Sequence, residues 1–212
     1  MSKLLIGVYS YNNDISINLA TSLVAISTQA VDVDIQLCTI NNVNSQVGVL
    51  GAILEMFVKS EREFLLLLDK DISITPGSVF AAIHEIKKDT SPFDIIAFPV
   101  LDGDLSGTSN IVMSTPIGDV VNDLIRVEVA SLNAIVISKY AAEQLMLKFD
   151  NVPENIFGAC TRIDVATSFF TAVKMAGLLV GMKINAETSM TYSRNFGYGP
   201  PPIDTKQITL PT

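Results

Sequence analysis

The sequence predicts an α/β fold with a doubly wound, mixed sheet that carries helices on both faces. Three observations lead to this class. The first half of the 212-residue chain alternates β-prone segments with segments of helical apolar spacing. The segment Phe64–Leu68 is wholly apolar, which is typical of a strand buried on both faces of a parallel sheet. The regular alternation is lost in the second half, so strands of both directions are expected there.

Composition limits the kinds of partner. Hydrophobic residues make up 49% of the chain and charged residues 17%, which suits one α/β domain with a large core. The net charge of -8 argues against nucleic acid, because a phosphate backbone binds clustered Lys and Arg. A nucleotide held through a divalent cation remains compatible. No apolar run approaches the roughly 20 residues of a membrane span. Cys38 and Cys160 lack metal-ligand spacing and are expected to be reduced core residues.

Strand and helix signals follow one another in the first half of the chain. Lys3–Tyr9 is β-prone, and Asp14 is expected to cap the helix after it. Alternating apolar residues predict a second strand over residues 33–37. The apolar face of the second helix consists of Val49, Leu50, Ile53, Leu54 and Phe57. The wholly apolar strand Phe64–Leu68 comes third, so the order is βαβαβ with a helix to follow.

The later elements are less regular. Three more helix starts are marked by N-cap residues, namely Thr75 before Pro76, Ser138, and Asp164 in a helix closed by Gly177. Four more strands are expected, namely Asp94–Leu101, Asp123–Val129, Leu132–Ile137 and Leu178–Ile184. Loops are expected over residues 102–110 and 151–162. Residues 1–193 therefore form one domain, whereas the Pro- and Gly-rich residues 194–212 are expected to be a tail or a linker to further domains.

The apolar strand ends directly in Asp69, Lys70 and Asp71. In open parallel sheets, ligands bind at the carboxyl ends of the strands. Two carboxylates spaced i and i+2 can bind one hard cation, with water and phosphate oxygens completing its shell. The same acids would also suit a solvated turn before a helix. Because they follow a long apolar strand and two strand–helix units, a metal or phosphoryl site is the favoured interpretation.

Polar side chains also follow the first strand. Tyr9, Ser10, Tyr11 and Asn12 are candidates for binding a nucleotide, since an aromatic ring can stack on a base and an amide can hydrogen-bond to it. An Asn-rich turn without any ligand is the alternative. Arg62, before the acidic strand, either approaches a phosphate or complements a helix dipole.

Four motifs in this order resemble the GT-A glycosyltransferases, especially the family-2-like sugar transferases. They are the first strand ending in Tyr11 and Asn12, the D-x-D of Asp69 and Asp71, the ITPGSV of Ile74–Val79, and the LNAIVISKYAAEQL of Leu132–Leu145. The Asp164 helix that closes at Gly177 is a fifth match, and the likeness covers residues 3–193. The chain is most similar to transferase domains that chlorella-type large DNA viruses encode for their capsid glycans. A viral protein of this kind would act in the host cytoplasm.

The resemblance implies a GT-A fold and a hexosyltransferase activity. Asp69 and Asp71 would hold Mn²⁺ or Mg²⁺ against the diphosphate of a UDP-sugar, with Lys70 beside them, and Tyr11 and Asn12 would receive the base. A hexose or deoxyhexose, glucose or rhamnose, would pass to a hydroxyl of a glycan or glycoprotein. In an inverting reaction Asp164 would be the base, although it also suits a plain N-cap. The late His that often supplies a third metal ligand in the family is missing here.

Two other functions fit parts of the pattern. In a haloacid-dehalogenase-like phosphatase, Asp69 would be the nucleophile and Asp71 the acid beside Mg²⁺. That family places the motif on its first strand, whereas two strand–helix units come first here. In a non-catalytic nucleotide-binding module the D-x-D would be only structural, and Asp71→Ala would leave ligand affinity nearly unchanged.

Overall fold

A computed structural model describes residues 3–10, 14–29, 32–39, 45–99, 101–102, 116–121, 123–158, 164–184, 186 and 188–190. Several sequence-based expectations lie outside the described residues: those on Tyr11, Asn12 and Cys160, on most of the 102–110 loop, and on the tail 194–212.

The described residues form strands and helices that largely follow the predicted order. The strands are β1 (Lys3–Ser10), β2 (Asp32–Thr39), β3 (Phe64–Asp69), β4 (Ile72–Ile74), β5 (Ile95–Ala97), β6 (Leu101–Asp102), β7 (Pro116–Val121), β8 (Leu124–Val127), β9 (Ala134–Ser138), β10 (Val180–Lys183) and β11 (Thr188–Met190). The helices are α1 (Ile17–Gln29), α2 (Gln46–Lys59), α3 (Pro76–Ile86), α4 (Lys139–Lys148), α5 (Pro153–Gly158) and α6 (Val165–Met175).

The main sheet has eight strands in the order β2-β1-β3-β9-β5-β10-β8-β7. β1 runs parallel to both β2 and β3, whereas β9 is antiparallel to its neighbours β3 and β5. β10 is parallel to β5 and antiparallel to β8. The predicted doubly wound, mixed sheet is therefore confirmed. A second sheet, in the order β4-β11-β6, forms beyond the carboxyl end of β3.

Helices cover the main sheet on both faces. Successive residues of a strand point to opposite faces, and the core accordingly forms two apolar layers. On one face Leu65 and Leu67 of β3 share a layer with α2, α4, α5 and α6. On the other face Leu66 and Leu68 share a layer with α1 and α3. All five residues of Phe64–Leu68 are buried, as the sequence predicts, but β3 has one parallel and one antiparallel neighbour.

N-cap residues start most of the helices where the sequence places them. Thr75, Ser138 and Asp164 each accept a hydrogen bond from a backbone N–H in the first helical turn. The expectation that Asp14 caps α1 is wrong. The chain becomes helical only at Ile17, and the Ser16 hydroxyl accepts from the Leu19 N–H at 3.1 Å.

Other differences arise where the signal is short or depends on distant pairing. Residues 151–162 were expected to form a loop, but α5 lies within them and buries Ile156 and Phe157 against the core. Asp94–Leu101 was expected to be one strand, but its residues divide between β5 in the main sheet and β6 in the second. β4, β7 and β11 are too short or too polar to have been predicted.

Cys38 is half-buried on the edge strand β2 and is a free thiol whose pKa is raised by burial. It therefore packs at the margin of the core. Among the described residues no helix combines the length and apolar character needed to cross a bilayer.

Lys139 joins the start of α4 to the end of α2. Its Nζ donates to the carbonyl oxygens of Phe57, Val58 and Ser60 at 2.9, 2.6 and 2.7 Å. The ammonium also lies 5.2 Å from the centre of the Phe57 ring. One cation thus donates to three carbonyls at the end of the helix, of which that of Phe57 also accepts from the Ser60 N–H and hydroxyl.

Candidate functional site

The carboxyl ends of β1 and β3 lie side by side, because the two strands are parallel and Tyr9 is in register with Asp69. Beyond them the chain is tied together by backbone hydrogen bonds. The Lys70 N–H donates to the Tyr9 carbonyl at 3.1 Å, and the Ser16 N–H donates to the Lys70 carbonyl at 3.0 Å. The start of α1 and the acidic turn are thereby held at one edge of the sheet, the position where ligands bind in doubly wound folds.

The acidic turn has a defined geometry. Oδ1 of Asp69 accepts a hydrogen bond from the Asp71 N–H at 3.0 Å, an arrangement typical of an Asx turn. The Asp69 N–H in turn donates to the carbonyl of Asn133 at 2.8 Å. Asp69 is therefore fixed by Asp71, two residues on, and by Asn133 just before β9. This side-chain–backbone bond keeps Asp69 and Asp71 together at the end of the strand.

Burial makes both carboxyl groups harder to ionise. It raises the pKa of Asp69 to about 6; the Asp71 charge adds to the rise, while the Asp71 N–H and Lys70 oppose it. Burial also raises the pKa of Asp71, although Lys70 opposes this rise. When both carboxyl groups ionise, the turn holds two poorly solvated negative charges, which a bound cation would offset.

Lys70 supplies one positive charge to the turn. Its Nζ lies 3.7 Å from Oδ2 of Asp71, and the two side chains are only 17% and 14% exposed. With all three groups ionised, the turn keeps one net negative charge. No cluster of three or more His, Cys, Asp or Glu side chains suited to a metal occurs within the described part of the chain. A cation at Asp69 and Asp71 would thus need water or ligand oxygens to complete its shell, as Mg²⁺ commonly does.

Tyr9 and Ser10 are buried at the end of β1 and contact the chain segments that flank the site. The Tyr9 side chain is buried in the core, and its hydroxyl donates to Oδ1 of Asn133 at 3.4 Å. The buried Ser10 hydroxyl donates to the Asp14 carbonyl at 2.9 Å. Both side chains therefore support the site through these contacts, and their expected role in binding a nucleotide stays a prediction. Tyr11 and Asn12 lie outside the described residues.

Asn133 is a site residue that the sequence reasoning missed. Its side chain meets the Tyr9 hydroxyl and its carbonyl meets the Asp69 N–H. Because β9 is antiparallel to β3, the start of β9 lies at the carboxyl end of β3. The sequence shows Asn133 as a polar residue directly before a wholly apolar strand. That pattern places Asn133 at the carboxyl end of β3 only when the direction of β9 is known.

Arg62 lies at the wrong end of the strand for a phosphate site. It precedes β3, whereas Asp69 ends it, and a strand of 6 residues spans about 20 Å. Its guanidinium forms an ion pair with Asp32, at the start of β2. Arg62 therefore joins the amino ends of the strands, away from Asp69, and the role with the donor that was expected of it stays a prediction.

Asp164 is committed to capping α6. Its Oδ1 accepts from the Thr167 N–H at 2.9 Å and its Oδ2 from the Thr167 hydroxyl at 2.6 Å. Both hydrogen bonds lower the pKa of Asp164, and the bond from the Thr167 hydroxyl has the larger effect. Since α6 leads back into β10, which is parallel to β5, its first turn faces the carboxyl edge of the sheet. The position suits a site residue, but a carboxylate with two donors and a lowered pKa is a weak base.

Comparisons with known proteins give matches at the level of structure. No family model matches the sequence, and no curated protein sequence matches it. The crystal structure of A197 from STIV superposes with a TM-score of 0.58 at 15% identity, over 90% of this chain and 86% of that one. The crystal structure of GalNAc-T7 with UDP, GalNAc and Mn²⁺ superposes with a TM-score of 0.60 at 11% identity, over 97% of this chain and 46% of that one. At these identities the likeness establishes a shared fold.

Proposed function

Starting from a GT-A fold whose central strand ends in two desolvated carboxylates, we propose that this protein is a metal-dependent glycosyltransferase. It moves a hexose or deoxyhexose, such as glucose or rhamnose, from a UDP-sugar to a hydroxyl of a glycan or glycoprotein. The observation that carries the proposal is the geometry of Asp69 and Asp71 at the carboxyl end of β3. In support, GalNAc-T7, which has the same fold, was crystallised with UDP and Mn²⁺.

The residues present suit a divalent cation. Asp69 and Asp71 offer hard oxygen ligands, and their raised pKa values reflect buried charge that a cation would stabilise. When bound, Mn²⁺ or Mg²⁺ would supply positive charge to the diphosphate as it leaves the sugar. Oδ1 of Asp69 already accepts from the Asp71 N–H, which leaves the other lone pairs of the carboxylate for the cation.

Lys70 has a distinct part in this proposal. Its ammonium lies beside Asp71 and is largely shielded from solvent, so it cannot swing freely into water. With a cation held by Asp71, the Lys70 ammonium would be able to donate to a diphosphate oxygen instead. The base remains unassigned, because both carboxylate oxygens of Asp164 are already used by Thr167.

Calorimetric titration of UDP and a UDP-sugar tests this function. Wild type is titrated with Mn²⁺ and with EDTA, next to Asp71→Asn, which removes one metal ligand while nearly preserving shape. Asp89→Asn, in an exposed turn after α3, is the matched control. We expect binding that needs both Mn²⁺ and Asp71 and that survives in the control, followed by donor hydrolysis in the presence of Mn²⁺.

Three results would count against the transferase. Metal-independent nucleotide binding that Asp71→Asn leaves unchanged would favour a binding module with a structural D-x-D. Release of phosphate from a phosphomonoester, with no nucleotide binding, would favour a phosphatase. A protein that binds no nucleotide under either condition would remove the argument for a donor site.

A further inference from the structure

One edge of the main sheet is formed by β2. It pairs with β1 on one side, and no other strand of the described chain pairs with its outer side. An edge of this kind presents unpaired backbone N–H and C=O groups, and proteins usually protect it with charges, Pro or a covering element.

The side chains of β2 leave its edge apolar on one face. Val33, Ile35 and Leu37 alternate along the strand and therefore share a face. Val33 packs against the core layer of α1 and α3, whereas Ile35 and Leu37 are 36% and 59% exposed. Large β-branched and aliphatic side chains on an open edge are the pattern expected of a strand that pairs with another chain.

The opposite face of β2 is polar and already internally paired. Asp34 accepts a hydrogen bond from Nε2 of Gln36 at 3.2 Å. The acid and the amide stand two residues apart, on either side of Ile35. Rotation about a two-fold axis through Ile35 therefore exchanges the position of Asp34 with that of Gln36.

We propose that β2 pairs with β2 of a second copy of this chain, antiparallel and centred on Ile35. A symmetric dimer requires a self-complementary patch, and this register provides one. Ile35 meets Ile35 of the second copy, Val33 meets Leu37, and Asp34 meets Gln36. The two eight-stranded sheets join into one continuous sheet, and the exposed apolar side chains become cross-strand pairs.

Charge selects this register over the one centred on Asp34. Centring the pair on Asp34 would bring two carboxylates directly opposite each other, which destabilises an antiparallel pair. Centring it on Ile35 places each Asp34 opposite an amide donor and keeps all three apolar residues within the paired segment. The second copy is thus favoured by apolar pairs on one face of the strand and by the acid–amide pairs of Asp34 and Gln36 on the other.

Light scattering during size-exclusion chromatography, over a range of loading concentrations, tests the dimer. Wild type is expected to shift to the dimer mass as concentration rises, and Ile35→Lys is expected to stay monomeric because two ammonium groups would meet at the two-fold axis. Val24→Lys, on the solvent face of α1 at a residue that is 65% exposed, is the matched control and should dimerise as wild type does. Thermal unfolding followed by circular dichroism checks that each variant is folded.

Mixing Ile35→Lys with Ile35→Glu tests the register. Each variant alone should be monomeric, and the mixture should recover a heterodimer, because the two opposite charges face each other only if Ile35 lies on the axis. A wild type that stays monomeric throughout, a dimer that survives Ile35→Lys, or a mixture that remains monomeric would each overturn the proposal.

Discussion

Asp69→Asn is expected to stabilise the metal-free protein at neutral pH. A carboxyl group whose pKa rises from 3.8 in the unfolded chain to about 6 in the folded one is costly to ionise inside the protein. Below pH 3.8 it is protonated in both states and costs nothing. Between the two values only the unfolded state ionises, so stability falls as pH rises, and above pH 6 the full cost of about 3 kcal/mol remains.

The Asn side chain removes the charge and keeps an oxygen for the Asp71 N–H. Urea unfolding in EDTA, at pH 4 and pH 8, measures the difference. We expect the variant to gain up to about 3 kcal/mol over wild type at pH 8 and almost nothing at pH 4. Asp89→Asn, in its exposed turn, should not change stability at either pH.

The same pair of proteins connects stability to the proposed site. Adding Mn²⁺ at pH 8 should stabilise wild type, because a ligand that binds only the folded state shifts the equilibrium toward it. It should leave Asp69→Asn unchanged. A variant that is less stable than wild type at pH 8, or one that gains equally at both pH values, would refute the idea that buried charge at Asp69 opposes folding.

Substitutions at three further positions test the contacts around the site by urea unfolding. Asp164→Ala should cost about 1 kcal/mol through loss of the α6 N-cap, and Asp164→Asn should recover most of it. Lys139→Met should cost about 2 kcal/mol, because it removes the ammonium that donates to the carbonyls of Val58 and Ser60 and is one of three donors to that of Phe57. Gly7→Ala should cost about 1–3 kcal/mol, because its Cβ would lie 2.5 Å from Cγ2 of Ile53.

Matched controls separate these causes from general disturbance. Lys148→Met, on an exposed position of the same helix as Lys139, should be nearly neutral. Gly77→Ala adds a methyl group with nothing within 4 Å, so it should not destabilise the protein. Equal losses in a test variant and its control would contradict the assigned contact.

Much of the first half of the fold could be predicted because its signals are local. The run Phe64–Leu68 is long enough to identify a buried strand, and Thr75 with Pro76 identifies the next helix start. The acids that follow the strand were found for the same reason. Tertiary pairing was beyond such signals: no local pattern shows that β9 inserts between β3 and β5 in the antiparallel direction.

That missing direction explains why Asn133 was not predicted as a site residue. Asn133 becomes a partner of Asp69 only because β9 begins where β3 ends. Arg62 is close to Asp69 in sequence, yet the length of β3 separates them. At Asp14 the error was local, because two polar residues, Asp14 and Ser16, compete for the cap and the helix begins after the second.

The insertion of β9 also sets the order in which the acidic turn can be completed during synthesis. Asp69 and its β3 neighbours leave the ribosome more than 60 residues before Asn133, whose carbonyl holds the Asp69 N–H. Until then β3 has β1 on one side and an open edge on the other. Contacts between residues so distant in sequence form late and slowly. A nascent chain that ends before β9 would therefore carry both acids without the Asn133 carbonyl that holds the Asp69 N–H, and would expose its most apolar strand to chaperones or to aggregation.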